Sequence, residues 1–152
     1  MIKTSIYSIA IISLLGATAA HAETFTYKSI ESSEPKVIGG VGQSGADYYA
    51  SSWSGTTDVK NADGTSYKSS FTCMSMTQPP NSQIFATHVV CDMTSPRGNA
   101  SMVFGCIPLN AEKTEMNCMG GMSGKSGTYQ DRSGTITAHI TPDGNSGTGQ
   151  WN

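Results

Sequence analysis

The chain has 152 residues and a formal net charge of −2 at pH 7, and only 13% of its residues are charged. The length suits a single domain with one core. The charges are scattered, so the sequence has neither the basic stripe typical of nucleic-acid-binding proteins nor a Lys/Arg cluster for anionic lipid.

The first segment of the chain is typical of a secretory signal peptide. An apolar run over residues 6–20 follows Lys3, and the small residue Ala22 marks the expected cleavage site. The run is short for a membrane span of about 20 apolar residues, and no basic stop-transfer cluster follows it. We therefore expect residues 1–22 to be removed on export to the periplasm or the medium, and residues 23–152 to form one soluble β-barrel domain.

Two-residue alternation of apolar and polar side chains recurs along the rest of the chain and predicts β-strands. Five runs show it: TFTYKSI, SYKSSFTCMSM, QIFATHVVCDM, ASMVFGCI and GTITAHI. The third run places Phe85, Val89 and Cys91 on one face and His88 on the other. The glycine-rich segment at residues 31–49 is compatible with either a long loop or a strand with bulges.

Turn signals separate these runs. NADGT, SPRGN and PDGN are typical hairpin turns, because glycine supplies the positive φ that tight turns require. QPPNS at residues 78–82 predicts a loop, since two prolines cannot both occupy a central strand, and NAEKTE is a polar connection. The spacing of seven or eight short strands favours an all-β fold, a small antiparallel β-barrel of about eight strands whose closure removes exposed edges.

Four cysteines follow the signal-like segment: Cys73, Cys91, Cys106 and Cys118. An even number of cysteines in an exported chain predicts two disulfides, and the long gaps between them lack the C-x-x-C spacing of a zinc site. Four cysteines allow three pairings. We favour Cys73–Cys91 with Cys106–Cys118, because each pair could face its partner across neighbouring antiparallel strands.

The stretch CMGGMSGKSGTY, residues 118–129, concentrates four glycines in twelve residues. A phosphate-binding loop needs G-x-x-x-x-G-K-[ST], and here the spacing from Gly120 to Gly124 is one residue short, with no helix pattern after it. A linker is disfavoured because a clean strand follows. The remaining interpretation is a tight bend between two strands, where glycine allows positive φ.

A family resemblance depends on these residues. GGMSGKSGTY, SGTIT and PDGNSGTGQW resemble the glycine-rich strand signatures of the allene oxide cyclase and dirigent β-barrel superfamily. The resemblance implies a barrel, and barrels of that family often associate, so oligomers are compatible with it. No catalytic residue of the plant cyclases or dirigent proteins matches a position here, so the resemblance carries no activity.

Few residues are arranged for catalysis. His88 and His139 lie on predicted strands, and we expect both to face solvent rather than to act as acid–base groups. Asp92 shares a face with His88 but lies about 13 Å along the strand, too far for a dyad. The sequence has no Ser/His/Asp order and no paired-carboxylate motif. We therefore assign no catalytic residue, no metal ligand and no cofactor.

Methionines and aromatic residues are the better indication of a binding site. Residues 23–152 contain seven methionines, including the M-x-M and M-x-x-M spacings at residues 74–76 and 119–122. Those spacings are compatible with Cu(I) ligation, whereas methionine also fills irregular interiors and lines pliable apolar pockets. Five aromatic residues are candidates for a stacking rim or for ordinary packing: Tyr48, Tyr49, Trp53, Tyr67 and Trp151. The predicted ligand-binding residues are Tyr49, Trp53, Met74, Met102 and Phe104.

Three hypotheses for function follow. The first is an exported, disulfide-bonded β-barrel that serves as a structural module or binds a small apolar molecule. The second is a cyclase-like or dirigent-like enzyme that steers a reactive intermediate by shape, which requires few catalytic residues. The third is a periplasmic copper-handling protein that uses the methionines.

Overall fold

The computed structural model describes residues 22–41, 47–77 and 85–152. The predicted signal peptide, apart from Ala22, and the predicted loop at residues 78–82 lie outside the described residues. Those that are described form nine β-strands and one turn of 3-10 helix at Gly127–Tyr129. The strands are β1 (Glu23–Glu31), β2 (Lys36–Val41), β3 (Asp47–Asn61), β4 (Ser66–Thr77), β5 (Thr87–Ser95), β6 (Gly98–Pro108), β7 (Met116–Gly124), β8 (Ser133–Thr141) and β9 (Gly144–Trp151).

Eight of these strands close into an antiparallel barrel in the order β1-β9-β8-β7-β6-β5-β4-β3, and β3 pairs back with β1. The long strand β3 has two partners: its second half, Gly55–Asn61, pairs with β1, and its first half pairs with β2. β2 therefore extends the sheet beyond the barrel at one end. The predicted all-β barrel of about eight strands is confirmed, and the segment left open between loop and strand contains β2.

Alternation places one set of side chains inside the barrel. On β4, for example, Phe71 and Cys73 are buried while Lys68 and Thr72 are exposed. The buried apolar residues of all eight barrel strands, together with Tyr129 of the 3-10 turn, form one continuous core. Burial of that apolar surface is the main favourable contribution to folding.

Three inward-facing aromatic residues each lie opposite a glycine on the neighbouring strand. Phe25 pairs with Gly149 and Tyr27 with Gly147 across β1 and β9. A side chain added at either glycine would clash with the aromatic ring opposite it, and the same holds for Gly55 beside Phe71. Glycine on the inner face thus provides the volume that a large ring occupies inside a small barrel.

Both disulfides join residues that lie directly opposite one another. Cys73 on β4 pairs with Cys91 on β5, and Cys106 on β6 pairs with Cys118 on β7. The predicted connectivity is confirmed. Since the sequence contains four cysteines, none remains as a thiol. Two disulfides in a small domain are typical of proteins that fold in an oxidising compartment.

The glycine-rich stretch at residues 118–129 differs in part from the predicted bend. Its first seven residues lie within β7, where Gly120 lets the backbone approach Val103 of β6 closely. The bend comes later, in the connection that contains the 3-10 turn and Gly127, whose φ is +64°. Close strand approach, more than chain reversal, therefore explains Gly120 at the start of the stretch.

Candidate functional site

The barrel encloses a cavity of about 260 Å³. Inward-facing side chains of all eight barrel strands line it. Among the lining residues at one end are the exposed Glu31 and Tyr49, whereas those at the other end include Trp151, which is only 2% exposed. As far as the described residues show, the cavity therefore reaches the surface at the end of the barrel beside β2. We call this the open end, and we call the end containing Trp151 the closed end.

Most of the cavity wall is apolar. Rings, thioethers and the two disulfides supply it, with the methionines Met93, Met102, Met116 and Met122 on four positions of β5, β6 and β7. Methionine is unbranched and flexible, so a wall rich in it adapts to the shape of what it contacts. A lining of this composition favours an apolar molecule.

Hydroxyl groups from neighbouring strands form a polar strip on one side of the cavity. Ser29 on β1 shares a hydrogen bond of 2.8 Å with Thr57 on β3, and Ser51 on β3 shares one of 2.8 Å with Ser75 on β4. Thr87 on β5 also lines the cavity and is buried. Each hydroxyl can donate one hydrogen bond and accept two, so a paired hydroxyl retains capacity for a ligand.

Two tyrosines line the cavity with their hydroxyls already hydrogen-bonded. Tyr27 donates to the backbone carbonyl of Thr137 at 2.8 Å, and the hydroxyl of Tyr67 lies 2.6 Å from that of Tyr129. Burial raises the pKa of Tyr27 well above its usual value. Burial also raises the pKa of Tyr67, and the hydrogen bond with Tyr129 adds to the effect. Both phenols remain protonated at neutral pH and contribute polarity without charge.

Ionic and aromatic contacts seal the closed end. Arg97 and Arg132 both donate hydrogen bonds to the carboxylate of Glu23, the second at 3.0 Å. The Arg97 hydrogen bond lowers the pKa of Glu23, burial opposes this change, and Arg132 reinforces it. Tyr129 stacks on Trp151 with ring centroids 4.7 Å apart.

Each of these two arginines also lies over an aromatic ring. The guanidinium of Arg97 is 5.4 Å from the ring centroid of Tyr129, and that of Arg132 is 5.8 Å from that of Trp151. Such cation–π contacts add roughly 0.5–1 kcal/mol each at partly exposed sites. The closed end is therefore built as a plug.

Four of the five predicted ligand-binding residues line the cavity. Tyr49 and Trp53 lie toward the open end, and Met102 and Phe104 lie on the inner face of β6. Met74 does not line it, because it lies on the outer face of β4 and is 62% exposed. Alternation explains this position, since Met74 is one residue away from the inward-facing Cys73.

The predicted aromatic set does not form a single rim. Tyr49 and Trp53 lie at the open end, whereas Trp151 belongs to the plug at the closed end and Tyr67 is hydrogen-bonded to it through Tyr129. Tyr48 is exposed on the outside. The five aromatic residues therefore do not form one site, and they have in common only that they are aromatic.

The hydroxyl strip was not predicted from the sequence. Ser29, Thr57 and Ser75 occupy positions that alternate with exposed residues, so the strand period was the available signal there. The neighbours of Ser51 and Thr87 are only partly exposed. Small hydroxylated residues are common on outer β faces as well. Their inward direction follows only once the register of β1, β3 and β4 is known.

The polar residues considered for catalysis lie outside the cavity. His139 is exposed, and its Nδ1 lies 2.9 Å from Oδ1 of Asn117. Asp92 accepts hydrogen bonds from Lys125 and Ser101, which lower the pKa of its carboxyl group. Among the described residues, no three histidine, cysteine or acidic side chains are grouped to hold a metal ion.

No protein-family model, no curated protein and no solved structure matches this chain. Within the part of the chain that the structure describes, no helix has the length and apolar character to cross a membrane.

Proposed function

We propose that this chain is an exported β-barrel that binds a small, mainly apolar molecule in its interior. The observation that carries the proposal is the cavity of about 260 Å³, which is apolar over most of its wall and which, among the described residues, is plugged at the Trp151 end alone. Eight-stranded barrels have an interior just large enough to be filled by side chains or to hold one small ligand. The signal-like N-terminal segment and the two disulfides support export.

The lining defines the chemical class of the ligand. The cavity volume of about 260 Å³ lies just below the usual range for pockets that hold drug-sized molecules, about 300–1,000 Å³, so the ligand is small. Glu31, at the open end, is the one charged residue among the described residues that line the cavity. A neutral molecule with an apolar body and one hydroxyl or carbonyl group fits this surface, because its polar group can bind the hydroxyl strip.

The first experiment is the native mass of the protein purified from its own periplasm or culture medium, measured intact and then denatured. An excess mass of a small organic molecule in the intact form supports the proposal and identifies the ligand. Equal masses, together with failure to bind the probe described next, contradict it.

A cavity-filling variant tests the location. N-phenyl-1-naphthylamine is a small uncharged fluorophore whose emission rises in an apolar environment. Ala138 lines the cavity and faces inward on β8, whereas Thr135 on the same strand is exposed. We expect Ala138→Phe to abolish the rise in emission and Thr135→Phe, the matched control, to retain it. Equal binding by both variants would place the probe elsewhere.

A cyclase-like or dirigent-like activity is the second candidate, and it would use the same cavity. The supporting observation is that the interior opens at one end and presents neutral phenols and hydroxyls that can orient a reactive intermediate. Incubation with a generated reactive intermediate, followed by chiral analysis of the products, distinguishes catalysis from binding alone. An excess of one stereoisomer indicates catalysis, and a racemic product indicates binding alone.

A further inference from the structure

Three side chains with soft or borderline metal-binding atoms lie together on the outer face of the barrel. Met74 and Met76 follow one another on the outer face of β4, and Met76 lies directly opposite His88 of β5. Directly opposite Cβ atoms in an antiparallel pair are about 4.5–5.5 Å apart, and diagonal neighbours, as Met74 and His88 are, about 7–8 Å. Both distances are within reach of long methionine side chains that converge with an imidazole on one ion.

We propose that Met74, Met76 and His88 form a binding site for Cu(I). Thioethers are soft ligands that select Cu(I), and imidazole is a common copper ligand. All four cysteines are held in disulfides, so methionine is the remaining soft sulfur donor of the chain. This site is separate from the cavity, on the opposite face of the sheet.

The residues directly opposite the three are uncharged and mostly small. Ala50 and Ser52 of β3 lie opposite Met76 and Met74, and on the other side Val90 and Gly105 lie opposite Met74 and His88. No carboxylate occupies any of these positions, and carboxylate oxygen is the donor that hard cations prefer. The carboxylate of Asp92, a diagonal neighbour of Met74, already accepts hydrogen bonds from Lys125 and Ser101. The surroundings therefore favour a soft monovalent ion over Mg²⁺ or Ca²⁺.

His88 is oriented and its ring nitrogens are available. In the described part of the chain, neither nitrogen forms a hydrogen bond, whereas the other histidine of the barrel, His139, is bonded to Asn117. The ring of Phe85 meets His88 edge-on, with centroids 5.8 Å apart. Phe85 also lies over Gly105, where an added Cβ would be 2.6 Å from the ring. The absence of a side chain at Gly105 thus lets an aromatic residue support the imidazole.

This position of Phe85 differs from the sequence prediction, which placed it on the inner face with Cys91. β5 begins only at Thr87, so Phe85 precedes the strand and its alternation. Its ring lies between His88 and Met119 of β7, since Gly105 separates these two residues in the register. Met119 is therefore not assigned to the site.

The exposure of the methionines agrees with a binding role. Met74 is 62% exposed and Met76 is 58% exposed, although polar residues are the usual occupants of a solvated barrel face. Met93, Met102 and Met122, by contrast, are buried inside the barrel. Met74 and Met76 thus differ in exposure from the three buried methionines, and a metal titration can tell the two sets apart.

The test uses the oxidised protein, with Cu(I) supplied anaerobically and a chromogenic Cu(I) chelator as competitor. We expect one Cu(I) per chain. Loss of a residue that merely supports a metal ligand commonly lowers affinity 10–100-fold, so the Met74→Leu/Met76→Leu variant should bind at least about tenfold more weakly, as should His88→Gln. His139→Gln and Met119→Leu are the matched controls, and both should bind as the parent does.

The location is read from methionine methyl signals by NMR with Ag(I), a redox-inert ion of similar softness. The methyl groups of Met74 and Met76 should shift, and those of Met93, Met102 and Met122 should not. Any of four results would overturn the proposal. They are no bound Cu(I), unchanged affinity in the Met74→Leu/Met76→Leu or His88→Gln variant, weaker binding in either control, and shifts confined to the buried methionines. Binding of the naphthylamine probe is independent of these variants, so failure here leaves the cavity proposal intact.

Discussion

The two ends of the barrel are built from different kinds of contact. At the closed end, a carboxylate between two arginines and a stack of Tyr129 on Trp151 fill the interior. At the open end, Tyr49 is 37% exposed, Trp53 is partly buried, and hydroxyl pairs replace ion pairs along the wall. The same strands thus run from a packed plug to an accessible cavity.

The difference indicates how a small barrel can combine stability with an interior cavity. Close packing and charge-assisted hydrogen bonds at one end stabilise all eight strands through closure of the sheet. The other end can then keep space that packing would otherwise fill. Side-chain substitutions at the closed end should therefore reduce stability, and those at the open end that leave the disulfides intact should mainly change binding.

The largest expected effect is at Trp151. Replacing a buried Trp with Ala usually costs about 3–5 kcal/mol, through lost burial and the cavity that remains. We expect Trp151→Ala to lower the free energy of unfolding by about this amount, measured by urea denaturation. Trp53→Ala, the corresponding substitution at the open end, should lower the free energy of unfolding by clearly less and should change binding of the naphthylamine probe. Equal losses of stability would contradict the contrast between the two ends.

The next effect concerns the disulfide nearer the open end. Cys106–Cys118 closes a loop of about the length for which removal costs roughly 3 kcal/mol. We expect the Cys106→Ala/Cys118→Ala variant to lose about 2–4 kcal/mol of stability. Hydrogen exchange should increase most at Thr87 and Ile107, which lie beside this bridge, and least at Trp151. Uniform loss of protection at both ends would show that the bridge supports the whole barrel equally.

Much of this fold could be predicted because strand alternation and turn chemistry act locally. The turns at residues 61–65, 95–99 and 142–145 all connect neighbouring strands, and Gly64, Gly98 and Gly144 adopt the positive φ that those turns require. Hairpin connectivity then places sequential strands side by side. The disulfide pairing followed for the same reason, since each pair spans one hairpin.

The site was predicted only in part, because it depends on contacts between strands that are distant in sequence. Alternation placed Met74 and Cys73 on opposite faces of β4. Met74 was nevertheless predicted to line the interior, because methionine is typical of apolar pockets. The plug brings Glu23 to Arg97 and Arg132, separated by 74 and 109 residues. No local pattern encodes such pairs, since they join the start of β1 to the β5–β6 turn and to the residue before β8, which meet only when the barrel closes.

The smallest of these effects lies at Glu23 and depends on pH. The hydrogen bond from Arg97, supported by Arg132, holds the pKa of this carboxyl group below its usual value of 4.5. A carboxyl group whose pKa is lower in the folded state stabilises the fold above the unfolded-state pKa, and this contribution is lost as the pH falls through the folded-state pKa. The parent should therefore lose stability on acidification below about pH 4.5.

Glu23→Gln removes that dependence and leaves two arginines without a carboxylate. We expect it to cost about 1–2 kcal/mol at pH 7, in keeping with hydrogen bonds to a charged group that is partly exposed, and to cost progressively less toward pH 3. Glu31→Gln is the control at the open end, because Glu31 is exposed and forms no ion pair with a described residue. The measurement is urea denaturation of the parent, Glu23→Gln and Glu31→Gln at pH 7 and at about pH 3. A loss that is equal at pH 7 and at about pH 3 would show that Glu23 acts through packing, and the plug would then owe its stability to Trp151 and Tyr129 rather than to charge.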